Sequence, residues 1–469
     1  MCIRDSMDMQ TEQLENRIFA ELALGDHASL TRTITMDDIA LFSVISGDVN
    51  PAHLDKDYAA SDLFHHIIAQ GVLTAGLISA VLGTKLPGPG TIYLGQELKF
   101  RAPVAPGDTI TATLTITELQ PEKHRVILDC HCRNQEGKEV LSGTAIVQAP
   151  TEKVSRPAIA LPEVRLLRHE FLRTLLAKAT SGEKLATAIA WPCDETSLQA
   201  TAEAASRGLI TPILVGPAAL IHAKAAQYNI DISAFRIEEA ASSAQAASRA
   251  VALAKSGEAG ALMKGALHTD ELLHEVMKPE TGLRNGGRLS HVYVMDVPAY
   301  PKPLLITDAA INLCPNLEEK RDILQNAISL AKALGIAEPR AAILAAVETI
   351  NPHMQATLDA AALCKMAERG QIKGAIIDGP LAFDNAISAE AAAQKHITSP
   401  VAGQADILLV PDIESGNMLA KQLSFLANAD AAGIVLGASV PIILTSRADT
   451  ERARLASCAI AVMLAADHG

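Results

Sequence analysis

The chain has 469 residues, 49% of them hydrophobic but only 3% aromatic, and a formal net charge of −13. That length exceeds what one hydrophobic core sustains, so two or three domains are expected, and the scarcity of aromatic residues favours helices and parallel strands over an aromatic-rich sandwich. The negative balance excludes a nucleic-acid surface, which needs a basic footprint, and confines contacts with any phosphate-bearing ligand to local clusters of Arg and Lys.

The elements follow in chain order. The opening MCIRDS has no apolar run and no cleavage pattern, so it is read as an artefact ahead of a start at Met7 or Met9, with residues 1–20 disordered. No apolar stretch approaches the roughly 20 residues of a membrane helix. Seven scattered cysteines without a C-x-x-C pair read as reduced core thiols in a cytoplasm; Cys130 and Cys132 share one face of a strand-like run.

Residues 45–55 (ISGDVNPAHLD) are rich in Gly, Asn and Pro and are predicted to form a turn, in which Asp48 and His53 reach one point. Adding water across an activated double bond needs one group to take a proton from water and another to supply one to the α carbon, tasks that Asp and His share at neutral pH. Spacing alone favours an Asx turn beside a surface His, and the surrounding sequence reverses that preference. Residues 71–82 (GVLTAGLISAVL) are apolar on nearly every side, which predicts a helix wrapped by other structure. Gly71 at its start allows close approach of a thioester, whose developing negative charge meets a backbone N–H and the helix dipole. Strand-like runs at 96–101, 109–119, 125–132 and 140–148 make an antiparallel sheet. A sheet curled around one helix is the α+β hot-dog architecture.

The runs ISGDVNPAHLD, IAQGVLTAGLIS and GQELKFRAPVAPGDT closely resemble the MaoC-like (R)-specific enoyl-CoA hydratases over residues 27–149. The resemblance implies that Asp48 and His53 are a catalytic pair, that Gly71 supplies the oxyanion contact, and that the protein forms a homodimer or larger assembly. Ser46 and Asn50 read as turn residues.

Texture changes at 149–162 (APTEKVSRPAIALP), read as a linker over 150–164 after a first domain of 21–149. Beyond it, β runs at 185–190, 212–215, 260–263, 291–294, 303–307, 341–347, 375–377, 407–410 and 441–444 alternate with helical segments such as 317–334, 354–369 and 417–426. That alternation predicts βαβ units, mostly parallel sheets and two lobes with a cleft between them. No P-loop occurs, and no dinucleotide fingerprint follows a strand. Instead, Gly with Lys, Arg, His or Ser marks three strand ends: 263–269 (MKGALHT), 282–291 (GLRNGGRLSH) and 444–449 (LTSRAD). All three are expected to converge on one ligand. Arg284 and Arg288 in a glycine-rich turn, and Arg447 beside Ser446, suit phosphate, although each Arg taken singly also fits a solvated surface charge.

Together with ITDAAINLCPNLEEK, AAVETINPHM, IIDGPLAFDNAIS and PIILTSRADT, these stretches strongly resemble the phosphate acetyltransferase and butyryltransferase family over residues 165–466. The resemblance implies a two-lobed α/β fold related to isocitrate and isopropylmalate dehydrogenases, with lobe I at 165–297 plus 440–469 and lobe II at 298–439. It also implies the reaction acyl-CoA plus phosphate giving acyl phosphate plus coenzyme A, with coenzyme A thioesters and phosphate as substrates and no tightly bound cofactor or metal. Arg447 would bind phosphate, and Ser446 would hydrogen-bond the tetrahedral oxyanion. Acetyltransferases place an acid two helical turns beyond that pair; this chain has Ala453 and Arg454 there, which leaves Asp449 as the substitute. Lys264, His268 and Thr269 look like the butyryltransferase branch and join Arg284 and Arg288 as ligand-binding candidates. The whole reads as a bifunctional acyl-CoA enzyme. The alternatives are an acyltransferase carrying a non-catalytic hot-dog module and an organic-acid dehydrogenase.

Overall fold

The computed structural model describes residues 13–160, 162, 164, 166, 169–444 and 450–467. The expected artefactual start and Met7 or Met9 therefore lie outside the described residues. The chain divides into two compact units, Met1–Leu166 and Leu167–Gly469.

The first unit opens with β1 (Gln13–Glu15), which pairs antiparallel with β7 (Ser155–Pro157). Residues 13–20 are thus ordered rather than disordered, and the expected linker contributes a strand. Backbone hydrogen bonds reinforce the pairing: Asn16 N–H reaches Val154 O at 3.2 Å and Arg17 N–H reaches Pro87 O at 2.8 Å.

The strands β2 (His27–Thr33), β3 (Ile92–Phe100), β4 (Thr109–Gln120), β5 (Arg125–Arg133) and β6 (Glu139–Gln148) form one antiparallel sheet in the order β2-β4-β5-β6-β3. Period-two patterning decides which face is buried. Ile110, Ala112, Leu114 and Ile116 of β4 point into the core, as do Val126, Leu128, Cys130 and Cys132 of β5. Burial pushes both Cys thiols up to about 12, so they behave as small apolar residues.

Against this sheet pack α1 (Met36–Ser46), α2 (Pro51–Leu54), α3 (Lys56–Ser61) and α4 (Gly71–Thr84). Leu77, Ile78, Val81 and Leu82 of α4 are buried, and truncating a residue such as Ile78 to Ala costs about 2–5 kcal/mol. The helix is not wrapped on every side, however: Val72 is 63% exposed, and Gly76, Ser79 and Gly83 continue its open stripe.

The second unit contains β8 (Leu185–Ala190), β9 (Ile210–Gly216), β10 (Arg236–Glu239), β11 (Ala261–Lys264), β12 (Ser290–Asp296), β13 (Leu304–Thr307), β14 (Arg340–Leu344), β15 (Ile376–Leu381), β16 (Ile407–Leu409), β17 (Asp430–Leu436) and β18 (Ile442–Ile443). They form a single eleven-stranded sheet, β10-β9-β8-β11-β18-β17-β12-β13-β16-β14-β15, rather than separate ones. Strands β10 to β18 in that order are parallel, as are β13 to β15. Between the groups, β17 runs antiparallel to both β18 and β12, and β12 runs antiparallel to β13. The two parallel groups therefore end on opposite edges of the sheet.

The helices are α5 (Glu170–Thr180), α6 (Glu195–Ser206), α7 (Ala218–Gln227), α8 (Ser243–Lys255), α9 (Thr269–Met277), α10 (Leu317–Ala333), α11 (Gln355–Glu368), α12 (Phe383–Ile387), α13 (Ala389–Gln394), α14 (Ile413–Leu426) and α15 (Glu451–Asp467). One apolar layer joins α5, α6, α7, α10, α11 and α15 to strand residues such as Val292, Val294 and Ile434. Residues of α8 and α9 form one further apolar cluster, and residues of α12 to α14 form another. No helix among the described residues is long and apolar enough to cross a membrane.

Candidate active sites

In the first unit, helix termini position the chemistry. Helix α1 starts at an Asp38–Thr35 capping box and stops at Gly47, whose φ of 75° is the left-handed conformation that glycine adopts without strain. The chain then reverses through Asp48, whose Oδ1 accepts from Asn50 N–H at 3.2 Å, while Asn50 Oδ1 caps α2 through Ala52 N–H at 3.1 Å. His53 therefore stands on a one-turn helix rather than in the expected open turn, because Asn50 followed by Pro51 is a strong helix start.

His53 is 8% exposed, and its Nδ1 lies 2.8 Å from Ile68 O. A carbonyl only accepts, so Nδ1 carries the hydrogen, and the tautomer that this bond selects presents its Nε2 lone pair. Nε2 is 3.7 Å from Asp48 Oδ2, too long for a direct hydrogen bond. Both atoms are acceptors. A water molecule donating one hydrogen to each satisfies them together.

His53 and Gly71 line a cavity of about 500 Å³ with Phe64, Phe100, Val104 and Leu141. Gly71 is the first residue of α4, so its N–H has no intrahelical partner. A Cβ at this position would lie 2.8 Å from Phe100 Cε1. Sequence reasoning did not single out Phe64 or Phe100 as cavity walls. It also passed over Gln70, whose side-chain nitrogen donates to Ser43 Oγ at 2.8 Å and so ties α1 to the start of α4. Phe100 lies within the quoted run GQELKFR, and its proximity to Gly71 depends on sheet register.

In the second unit, the predicted residues do not all gather. Lys264 ends β11, its Nζ donating to Gly265 O at 3.1 Å and Leu267 O at 3.4 Å. Gly265 continues beside β8: a Cβ there would meet Ala190 O at 2.4 Å and Trp191 O at 2.5 Å, so glycine is required. His268 then precedes α9, and Thr269 begins it.

Arg284 instead bridges to Ala438, before β12 and after β17. The registers Leu262–Ile442, Ile442–Val435 and Val435–His291 define one rung across the sheet. Lys264 lies beyond this rung in one direction and Ala438 in the other, a separation of about 16 Å along the strands. The MKGALHT and GLRNGGR loops consequently occupy opposite strand ends, and the expected convergence fails for Arg284 and Arg288. The antiparallel insertion of β17 is the cause.

Arg288 is also engaged. Its Nε donates to Asn312 Oδ1 at 2.6 Å, and its Nη1 lies 2.7 Å from Glu319 Oε1 at the start of α10. This is a structural tie, not a vacant anion site. Ser446, Arg447 and Asp449 lie outside the described residues; β18, which leads toward them, pairs with β11 at the Lys264 end. A groove of about 890 Å³ opens elsewhere beside α6, but Glu195, Glu203, Asp231 and Glu451 line it against a single Lys184, the wrong balance for a polyphosphate.

The chain thus combines a first unit of helices against a five-stranded antiparallel sheet with a second, mixed eleven-stranded α/β unit. Residues 239–462 match the model of the phosphate acetyl/butaryl transferase family, and residues 24–129 match the MaoC like domain. The chain is 60% identical over 292 residues to a phosphate acetyltransferase of Rhizobium meliloti, covering 62% of this chain and 92% of that one. It belongs to the phosphate acetyl/butyryltransferase family and carries a MaoC-like domain ahead of the transferase. A branched-chain phosphotransacylase from Enterococcus faecalis V583 is 32% identical with a TM-score of 0.54, covering 60% of this chain and 99% of that one. An unliganded R-hydratase PhaJ1 from Pseudomonas aeruginosa is 45% identical with a TM-score of 0.32, covering 33% of this chain and 99% of that one.

Proposed function

We propose that the chain is a bifunctional acyl-CoA enzyme. The first unit adds water to a trans-2-enoyl-CoA with (R) specificity, and the second converts acyl-CoA and phosphate to acyl phosphate and coenzyme A. The observation that carries the first activity is the pairing of two acceptors, His53 Nε2 and Asp48 Oδ2, 3.7 Å apart beside an apolar cavity. A water held between them gives its oxygen to the β carbon, and the pair moves one proton from that water to the α carbon. The Gly71 N–H, reinforced by the dipole of α4, receives the negative charge that grows on the thioester oxygen.

For the second activity, family membership and Lys264–Thr269 at the end of β11 support a site there. Ser446 and Arg447 would stabilise the tetrahedral oxyanion and the phosphate, and Asp449 would stand in for the missing acid. Phosphate attacks the thioester carbon directly, so the protein contributes positioning and charge stabilisation rather than a covalent intermediate. We further read the second unit as two-lobed and related to isocitrate and isopropylmalate dehydrogenases, with coenzyme A thioesters and phosphate as its substrates, working in the cytoplasm. Edge strand β3, whose Ile92, Tyr93, Leu94 and Phe100 are exposed, supports a homodimer through the first unit.

One measurement on purified protein tests both activities: loss of enoyl-thioester absorbance from crotonyl-CoA, and phosphate-dependent thiol release from acetyl-CoA and butyryl-CoA. Absence of either signal removes the corresponding activity.

A further inference from the structure

The cavity beside His53 has an open end and a sealed one. Of the residues that line it, Val72, Phe100 and Arg101 are exposed, whereas Val104, Val140 and Leu141 are buried. Arg101 is already engaged at the open end: its Nε donates to Ser142 Oγ at 3.1 Å and lies 3.8 Å from Glu139 Oε1. Exposure also falls along α4, from Gly71 and Val72 to Thr74 and Ala75. A thioester whose oxygen meets the Gly71 N–H, and whose bulky coenzyme A portion stays outside, therefore directs its acyl tail toward the sealed end.

Thr74 belongs to that sealed end. It is 3% exposed and lines the cavity, and among the described residues its hydroxyl forms no hydrogen bond. Other helical threonines return Oγ1 to the carbonyl four residues back, as Thr84 does to Ala80 at 2.7 Å and Thr174 to Glu170 at 2.8 Å. Thr74 does not. Three residues separate it from Gly71, which puts both on one face of α4, about 4.5 Å apart along the helix axis. Apart from Arg101 at the open end and His53 at the reacting carbons, every other side chain described as lining the cavity is apolar.

A hydroxyl withdrawn from bulk water and left unpaired is costly, and methylene groups do not relieve the cost, whereas a ligand oxygen or a retained water does. We propose that Thr74 sets the acyl specificity of the first unit, selecting enoyl thioesters that leave a hydrogen-bonding oxygen at the sealed end of the cavity and discriminating against long apolar tails. This rests on the hydratase reading of the first unit. Two sources supply such an oxygen: water that remains beyond a four-carbon acyl group, and a hydroxyl carried by the tail itself. A hydrocarbon tail long enough to reach Thr74 displaces the water and offers no partner in exchange. Valine shares the β-branched shape of threonine without the hydroxyl, so Thr74→Val makes the sealed end wholly apolar and removes the discrimination.

The test measures kcat/KM for hydration of crotonyl-CoA, trans-2-heptenoyl-CoA and 6-hydroxy-trans-2-hexenoyl-CoA by the full chain and by its Thr74→Val and Thr74→Ser variants. The two longer tails have the same length and differ only in whether the last atom is carbon or oxygen. Thr74→Val should raise the heptenoyl-to-crotonyl ratio by about tenfold, while Thr74→Ser, which keeps the hydroxyl, should leave it within about threefold. Should Thr74→Val fail to fold, Thr74→Ala takes its place. In the wild type, a hydroxylated tail preferred to heptenoyl identifies the chain as the source of the oxygen, and crotonyl-CoA preferred to both identifies water. A wild-type preference for heptenoyl-CoA over the other two, a ratio unchanged in Thr74→Val, or an equal shift in Thr74→Ser overturns the proposal and leaves the hydratase reading intact. Hydration of none of the three by the wild type overturns both.

Discussion

The two candidate sites are assembled in opposite ways. Asp48, His53 and Gly71 come from one stretch of chain whose directions are set by local devices: the left-handed Gly47, the Asn50 cap and the start of α4. Lys264, Arg284 and Arg288 come from ends of a sheet whose neighbours lie far apart in sequence, and β17 decides which edge each one reaches. A motif closed by caps keeps its geometry wherever it is found. A motif at a strand end acquires geometry only when the strand's direction in the sheet is known.

The largest effect expected from this contrast is in the first unit. Asp48→Asn removes the proton acceptor yet preserves the side-chain oxygen that receives the Asn50 N–H, so the loop holds its shape. Crotonyl-CoA hydration should fall by about 10³ with no change in the unfolding transition. A variant hydrating at more than about a tenth of the wild-type rate removes Asp48 from the mechanism.

Next in size is Gly71→Ala. The added Cβ meets the Phe100 ring at 2.8 Å, and Phe100 is 55% exposed and free to swing, so the unit still folds. The ring and the methyl then crowd the N–H that faces the thioester oxygen, and kcat for hydration should drop by about 10–100-fold. A change confined to KM would show that Gly71 serves binding rather than charge stabilisation.

A direct test of the strand-end argument sets Lys264→Ala against Arg288→Ala. At the β11 end, Lys264→Ala should raise the KM for phosphate or acyl-CoA by about tenfold. Arg288→Ala should leave both constants within about threefold and instead cost about 1 kcal/mol of stability, discounted because the side chain is 40% exposed. Equal kinetic losses in the two variants would mean that the opposite strand ends share a ligand after all.

These residues also show how much was legible beforehand. The threonine–aliphatic alternation of β4 specified a half-buried strand, and it is one; the same period put Cys130 and Cys132 in the core. The pairing of Asp48 with His53 was legible because both lie in one capped segment. The Arg288 tie was not, since Asn312 and Glu319 reach it from the β13–α10 connection. Strand β17 (DAAGIVL) was missed because its first residues, Asp, Ala and Gly, have poor strand propensity; pairing on both sides overrides that preference. Two exposed features, the open stripe of α4 and edge strand β3, contradict the expectation of an enclosed helix, and a burial pattern set by tertiary packing is not encoded in local apolarity.

The smallest effect comes from a cluster that neither site uses, and it separates stability from catalysis in a pH profile. On the outward face of β5, His131 places Nδ1 2.6 Å from Glu139 Oε2 and Nε2 3.0 Å from Asp129 Oδ2, so the ring satisfies both carboxylates only when doubly protonated. Burial opposes that charge, but the hydrogen bonds to Glu139 and Asp129 outweigh it and raise the His131 pKa above the usual 6.5; the bond from His131 holds Glu139 below 4.5. A raised imidazole pKa contributes stability that is complete below the unfolded value and is lost as pH climbs through the folded one. The lowered carboxylate contributes above its unfolded value and loses that contribution in acid. The contribution therefore peaks between roughly pH 4.5 and 6.5. Because His131 is 39% exposed, solvent screens most of it. From pH 6 to 8 the unfolding midpoint of the wild type should fall by only about one or two degrees more than that of His131→Ala. Parallel midpoint–pH curves for the two proteins would mean that the cluster is electrostatically idle.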